Sequence, residues 1–160
     1  MAVTLRGSGS VVIQVANYQT GALATGTTQI PSDDTIPQNT EGDQYMSLAF
    51  TPFSATNTLK IDVVLQLASS AGGGRMSGAL FQDSTANALA VSTQGFIDAG
   101  KPMMLSFTYY MTSGTASATT FKVRAGTQQA GTTTFNGSAS ARLYGGVSSS
   151  SITISEISQS

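Results

Sequence analysis

The decapeptide TLKIDVVLQL at residues 58–67 alternates apolar and polar side chains with a period of two. One face of this stretch carries Leu59, Ile61, Val63, Leu65 and Leu67. Successive side chains of a β-strand point to opposite faces of its sheet, so an extended chain would bury all five together. The alternation therefore predicts a long, half-buried strand.

A second stretch, PMMLSFTYYM at residues 102–111, repeats the pattern, with Met103, Leu105, Phe107, Tyr109 and Met111 on one face. Shorter alternating runs lie at 11–18, 45–50, 78–83, 120–125, 132–136, 141–146 and 150–157. Turn-forming residues separate the runs. Many short strands with turns between them indicate a sandwich or a barrel of about eight to ten antiparallel strands. We expect residues 1–25 to form a short N-terminal arm and residues 26–160 to form the domain.

The composition restricts the possible functions. Only 9% of the 160 residues are charged, against roughly 25% in an ordinary soluble domain, which suggests that part of the surface is buried in an assembly. The net charge of −1 and the scattered basic residues argue against nucleic acid or a membrane as a partner. Because the chain has no His and no Cys, it lacks the commonest general base and any thiolate nucleophile, and we expect no enzyme activity.

Several strings in the sequence resemble a domain of tailed-phage and prophage fibre and virion proteins. They are Ile30–Pro37, Thr40–Gly42, Thr119–Arg124, Leu143–Gly146 and Ile152–Ile154. That domain is similar to the trimeric jelly roll of the tumour-necrosis-factor and complement globular-head superfamily. The resemblance spans Val15 to Ile157 and implies an all-β jelly-roll β-sandwich.

The resemblance also implies a function and a set of partners. We expect a homotrimer without a cofactor, made in the host bacterial cytoplasm and incorporated into the virion. Its partners would be copies of itself and a phage capsid or other virion protein. Decoration of the capsid is the favoured function. The alternative is a receptor-binding module at a tail or head fibre tip, whose loops 69–75, 84–95 and 112–117 would contact a host glycan or surface protein.

Five apolar or aromatic side chains are candidates for protein contacts. Met104 and Tyr110 lie on the polar face of the second alternating stretch, and Tyr and Met are typical of interface cores, so both are expected at the trimer interface. The N-terminal arm presents an alternating face of Val11, Ile13 and Val15. We expect this face to dock on the particle by strand addition or by insertion between subunits.

Four carboxylates are weak candidates for a calcium site. Asp33, Asp34, Glu41 and Asp43 lie within eleven residues of one another, and Ca²⁺ prefers oxygen ligands. However, their spacing does not match an EF-hand loop, and Asp before Thr or Pro is an ordinary turn residue. Solvated turn carboxylates are therefore the favoured interpretation.

Overall fold

The computed structural model describes residues 9–96 and 98–158, and strands dominate this part of the chain. The strands are β1 (Val12–Thr20), β2 (Ala24–Gly26), β3 (Asp43–Phe50), β4 (Thr58–Ser69), β5 (Gly74–Gln82), β6 (Ala90–Phe96), β7 (Met103–Thr112), β8 (Thr119–Thr127), β9 (Thr133–Phe135), β10 (Gly137–Ser138), β11 (Ala141–Arg142) and β12 (Ser150–Ile157). A short 3₁₀ turn lies at Tyr144–Gly146.

The strands form two facing antiparallel sheets. Sheet I has the order β1-β12-β4-β7, with β9 paired to the end of β4 and β2 paired to β9. Sheet II has the order β3-β8-β5-β6. Numbered one to eight along the chain, the eight longer strands follow the orders 1-8-3-6 and 2-7-4-5. This double Greek-key arrangement is a jelly roll and confirms the predicted fold class.

The core lies between the two sheets and is built on β4. The five apolar side chains of the first alternating stretch are at most 1% exposed, and they face Phe121 and Val123 of sheet II in one cluster. β4 is paired to β12 on one side and to β7 on the other over most of its length. Alternation in β4 thus decides which side of sheet I is core and which is surface.

The stretch 141–146 and the expected N-terminal arm differ in part from the structure expected from the sequence. Only Ala141–Arg142 of the stretch 141–146 is a strand, because Tyr144, Gly145 and Gly146 adopt positive φ angles of 49°, 64° and 93° that a strand does not allow. Within the expected arm, β1 pairs with β12 and forms an edge of sheet I, with a shift of register between Val12 and Gln14 that interrupts the alternation predicted for Val11, Ile13 and Val15. Residues 1–8 of the expected arm lie outside the described residues.

A buried carboxylate anchors the loop between β3 and β4. Glu156 is fully buried and accepts hydrogen bonds from the backbone N–H groups of Phe53 (2.9 and 3.0 Å) and Ser54 (3.3 Å). The side-chain amide of Asn57 donates a further bond of 2.6 Å. These donors replace the water that the carboxylate loses on folding, so the loop and the end of β12 are held together.

We expect Glu156→Ala to destabilise the fold by about 2–4 kcal/mol, because the buried donors of the loop lose their acceptor and a small cavity is left. The measurement is the midpoint of urea denaturation at fixed protein concentration. Asp34→Asn, at an exposed position, is the matched control and should change stability by less than about 0.5 kcal/mol. Equal midpoints for the two variants would contradict this role of Glu156.

Candidate functional site

The outer face of sheet I, called the sheet I face below, is a surface with little charge. Serine, threonine, asparagine and glutamine occupy most outward positions of β1, β12, β4 and β7. The apolar or aromatic members are Val12, Val15, Val64, Met104, Tyr110 and Ile157, and the charged members on these strands are Lys60 and Asp62. A solvated face of this size ordinarily carries more charge, so this surface resembles the core of an interface.

The charges on the sheet I face neutralise each other. Lys60 Nζ lies 2.7 Å from Asp62 Oδ2, and the Thr108 hydroxyl donates to Asp62 Oδ1 at 2.6 Å. The hydrogen bond to Asp62 raises the pKa of Lys60 above its usual value. Partial burial acts to raise the pKa of Asp62, but the hydrogen bonds from Lys60 and Thr108 outweigh it, and the pKa is lowered. The pair therefore stays ionised near neutral pH and adds no net charge to the face.

Both predicted trimer-interface residues lie on this face. Met104 is 58% exposed and Tyr110 is 57% exposed on β7, opposite Gln66 and Lys60 of β4. Their neighbours on β7 alternate into the core, as the sequence pattern predicted. The structure thus makes both side chains available for contact with another molecule.

The predicted docking residues lie at the edge of the same sheet. Val11 is 54% exposed, Ile13 is 40% exposed and Val15 is 58% exposed. β1 pairs with β12 on one side and, among the described residues, with no strand on the other. The sequence from residue 7 to residue 32 contains no charged residue. Exposed β-branched side chains on an uncharged edge strand favour pairing with another strand.

The four acidic candidates serve separate hydrogen bonds. Asp33 Oδ1 accepts from the Thr35 hydroxyl at 2.5 Å and from the Thr35 N–H at 2.9 Å, and these bonds lower the pKa of Asp33. Glu41 accepts from the Gln38 N–H, and Asp43 accepts from the N–H and hydroxyl of Thr28. Asp34 is exposed. Among the described residues, no three acidic side chains converge in a way that would hold a metal ion.

Residues 27–42 cross the outer face of sheet II and are called the cover segment below. Ile30 is 1% exposed and packs on Ala79 and Phe81, which point outward from β5. Arg124 holds the end of the segment by donating to the backbone carbonyls of Glu41 (2.8 Å) and Gly42 (2.6 Å). The sequence contained a signal for such a cover, since the apolar run from Gly78 to Phe81 has no polar face.

The cover segment needs glycine at position 126. A Cβ at Gly126 would lie 2.5 Å from the Thr28 carbonyl oxygen, a backbone atom that cannot move without displacing the segment. We expect Gly126→Ala to destabilise the protein by about 1–3 kcal/mol through this overlap. Gly95→Ala is the control, because its Cβ would meet the Gly74 carbonyl oxygen at an ordinary 3.8 Å. The measurement is the midpoint of thermal unfolding of the two variants. Equal midpoints would show that the cover segment can be displaced without loss of stability.

The loops predicted for receptor contact do not all meet. Residues 112–119 and 82–85 line one open cavity of about 450 Å³ that is rich in hydroxyl groups. Loop 69–75 lies at the opposite end of the sandwich, where the Gln129 side chain donates to the carbonyls of Gly72 and Gly73. A single receptor site would therefore use either 82–85 with 112–119, or 69–75, but not all three loops.

No pattern in the sequence indicated a groove between the cover segment and β6. It is lined by Ile36, Pro37, Ala88 and Val91, with Asp33 and Asp34 at its rim. These residues are about fifty positions apart in the sequence and meet because backbone bonds join Ala88 to Pro37 and Asn39 to Ala86. No local pattern predicts such a meeting.

No protein-family model and no curated protein matches the chain. Similar solved structures include Eiger TNF from S. frugiperda (10% identity, TM-score 0.45, 91% of this chain and 94% of that chain). Others are an infectious bursal disease virus Gx strain structure (14%, 0.41, 98% and 44%) and a CBM4 structure (13%, 0.43, 73% and 68%). At these identities and TM-scores the likeness says nothing of function, and the jelly-roll assignment rests on the strand order above. The phage family remains a prediction.

No helix in the described ranges has the length and hydropathy that crossing a membrane would need.

Proposed function

We propose that this protein is a non-enzymatic structural component of a phage virion, a homotrimeric jelly roll that decorates the capsid. The observation that carries the proposal is the sheet I face, which is exposed and almost free of net charge. The sequence resemblance to phage virion domains supports the particle, and the absence of His and Cys supports a role without catalysis.

The sheet I face supplies most of the area that a self-contact requires. Four strands about 4.8 Å apart and about 30 Å long give a projected area on the order of 600 Å². A stable interface buries about 800 Å² of accessible surface on each partner, so the face covers roughly three quarters of it. Three copies that turn this face toward a common axis would bury Met104 and Tyr110 and leave the charged loops in water.

We expect the isolated protein to be a trimer by light scattering, and Tyr110→Asp to dissociate it. The substitution would place an unpaired charge in a closed interface, which costs several kcal/mol. Tyr144→Asp is the matched control, because Tyr144 is 79% exposed and belongs to the 3₁₀ turn and not to a strand of the sheet I face. A monomer at micromolar concentration for the unsubstituted chain would overturn the trimer, and a trimeric Tyr110→Asp variant would remove Tyr110 from the interface.

The free edge of β1 is the proposed attachment site on the particle. A strand of a capsid protein would add to this edge, with Val11, Ile13 and Val15 contributing apolar contacts. The test is incorporation into particles, with copies per virion counted by quantitative mass spectrometry. A copy number that scales with the number of capsid subunits supports decoration, whereas a few trimers per virion would place the protein on a fibre.

The alternative proposal is a receptor-binding module at a fibre tip. The observation in its favour is the hydroxyl-lined cavity of about 450 Å³ formed by residues 82–85 and 111–119. Neutral sugars present hydroxyl groups that suit such a lining. Binding of the purified trimer to host cells, lost on Gly114→Trp at the cavity and kept on Gly73→Trp at the opposite end, would favour this function over decoration.

A further inference from the structure

The groove between the cover segment and β6 has the shape of a binding site for an extended peptide. Its volume is about 360 Å³, and it continues into a smaller recess of about 150 Å³ beside Ser77 and Thr93. Two apolar side chains on its walls are poorly covered, Ile36 at 54% and Val91 at 49% exposed. Within the described chain, β6 pairs with β5 alone, so its outer edge is open to an added strand.

The rim of the groove carries the carboxylates of Asp33 and Asp34. Among the described residues neither carboxylate has an ion pair within 4 Å, and the neighbouring cation Arg75 donates from Nη1 to the Ser32 hydroxyl at 3.0 Å instead. Thr35 hydrogen bonds satisfy one oxygen of Asp33, but they add no positive charge. A ligand that fits this groove therefore combines an apolar side chain with a neighbouring cation.

The first residues of this chain have that combination. Residues 1–8 read MAVTLRGS, with apolar Val3 and Leu5 followed directly by Arg6. Arg6 is the only Lys or Arg before Lys60. We propose that residues 3–6 of a second copy occupy the groove, with Leu5 against Ile36 and Val91 and with Arg6 beside Asp33 and Asp34. The inference rests on the proposed assembly of copies and assigns its N-terminal segment a partner.

The geometry favours a second copy over the same chain. β1 lies at the edge of sheet I that packs on β3, whereas β6 packs near β7 at the opposite edge. Three strand spacings separate those edges by about 14 Å, and the sheets are about 10 Å apart. Arg6 precedes Gly9 by three residues, which span at most about 11 Å. The backbone from Arg6 to Gly9 is therefore shorter than the distance between those edges, which favours a second copy as the source of residues 3–6.

Disulfide trapping in the full chain tests the proposal, because the protein has no native cysteine. The double variant Leu5→Cys/Val91→Cys is oxidised mildly and run on non-reducing gels. We expect covalent dimers and higher oligomers to form at least about tenfold faster than in Leu5→Cys/Val147→Cys. Val147 is 83% exposed and lies on the loop before β12, so this control matches accessibility without the groove. Equal rates, or a link formed within one chain, would overturn the proposal.

Charge reversal provides the second readout. Adding Arg6→Glu to the trapping variant should slow linkage by about fivefold, which is the worth of an exposed ion pair of about 1 kcal/mol. Asp33→Lys/Asp34→Lys added to that variant should restore the rate, whereas Asp98→Lys should not. If the rate of linkage is the same with and without these charge changes, the pairing of Arg6 with Asp33 and Asp34 is wrong.

Light scattering of the unsubstituted chain separates this inference from the proposed trimer. If the unsubstituted chain is a trimer but the Leu5→Cys/Val91→Cys variant forms no disulfide, the groove contact is wrong and the trimer stands. If the unsubstituted chain is a monomer but the variant still forms the intermolecular disulfide, the trimer is wrong and the groove contact stands.

Discussion

Period-two alternation in β4 is the constraint on which the rest of the structure depends. A strand paired on both sides has no freedom of register, since a slip by one residue would place Lys60 and Asp62 in the core and Ile61 and Val63 in solvent. Because paired residues of neighbouring strands point to the same face, β12 and β7 also turn their apolar side chains inward. The alternate positions of these strands, which are mostly polar, then form the opposite side of sheet I. The sheet I face is thus a consequence of the core and not a separate feature.

The parts of the fold that follow from local alternation could be predicted from the sequence. β4, β7, β8 and β12 lie within one or two residues of their expected positions, because each carries its own pattern. The pattern SITISEI even places Glu156 on the core face with Ile152 and Ile154. The hydrogen-bond donors to Glu156 could not be predicted, since they are two backbone N–H groups and the Asn57 amide about a hundred residues away. The groove at β6 could not be predicted for the same reason, because its walls come from segments about fifty residues apart in the sequence.

Charge is distributed unevenly between the two sides of the sandwich. On sheet II, Arg124 binds the carbonyls of Glu41 and Gly42, and Lys122 binds the carbonyl of Asp83 at 2.8 Å. These cations fasten loop backbone to the strand beneath and also keep that side hydrated. Sheet I contributes one neutralised pair. The two sides therefore differ in the free energy needed to remove water, and the nearly uncharged side loses water at the lower cost.

The pairing of β1 with β12 also has a consequence for the time course of synthesis. Thr20 ends β1 and Ser150 begins its partner, so about 130 residues must be made before the sheet can close. At roughly 5–20 residues per second, β1 waits on the order of ten seconds without its partner. During that interval its valines and isoleucine form an uncharged strand with both edges open, next to other nascent chains bearing the same strand. The pairing of β1 with β12 therefore leaves β1 without its partner strand until residues 150–157 have been made.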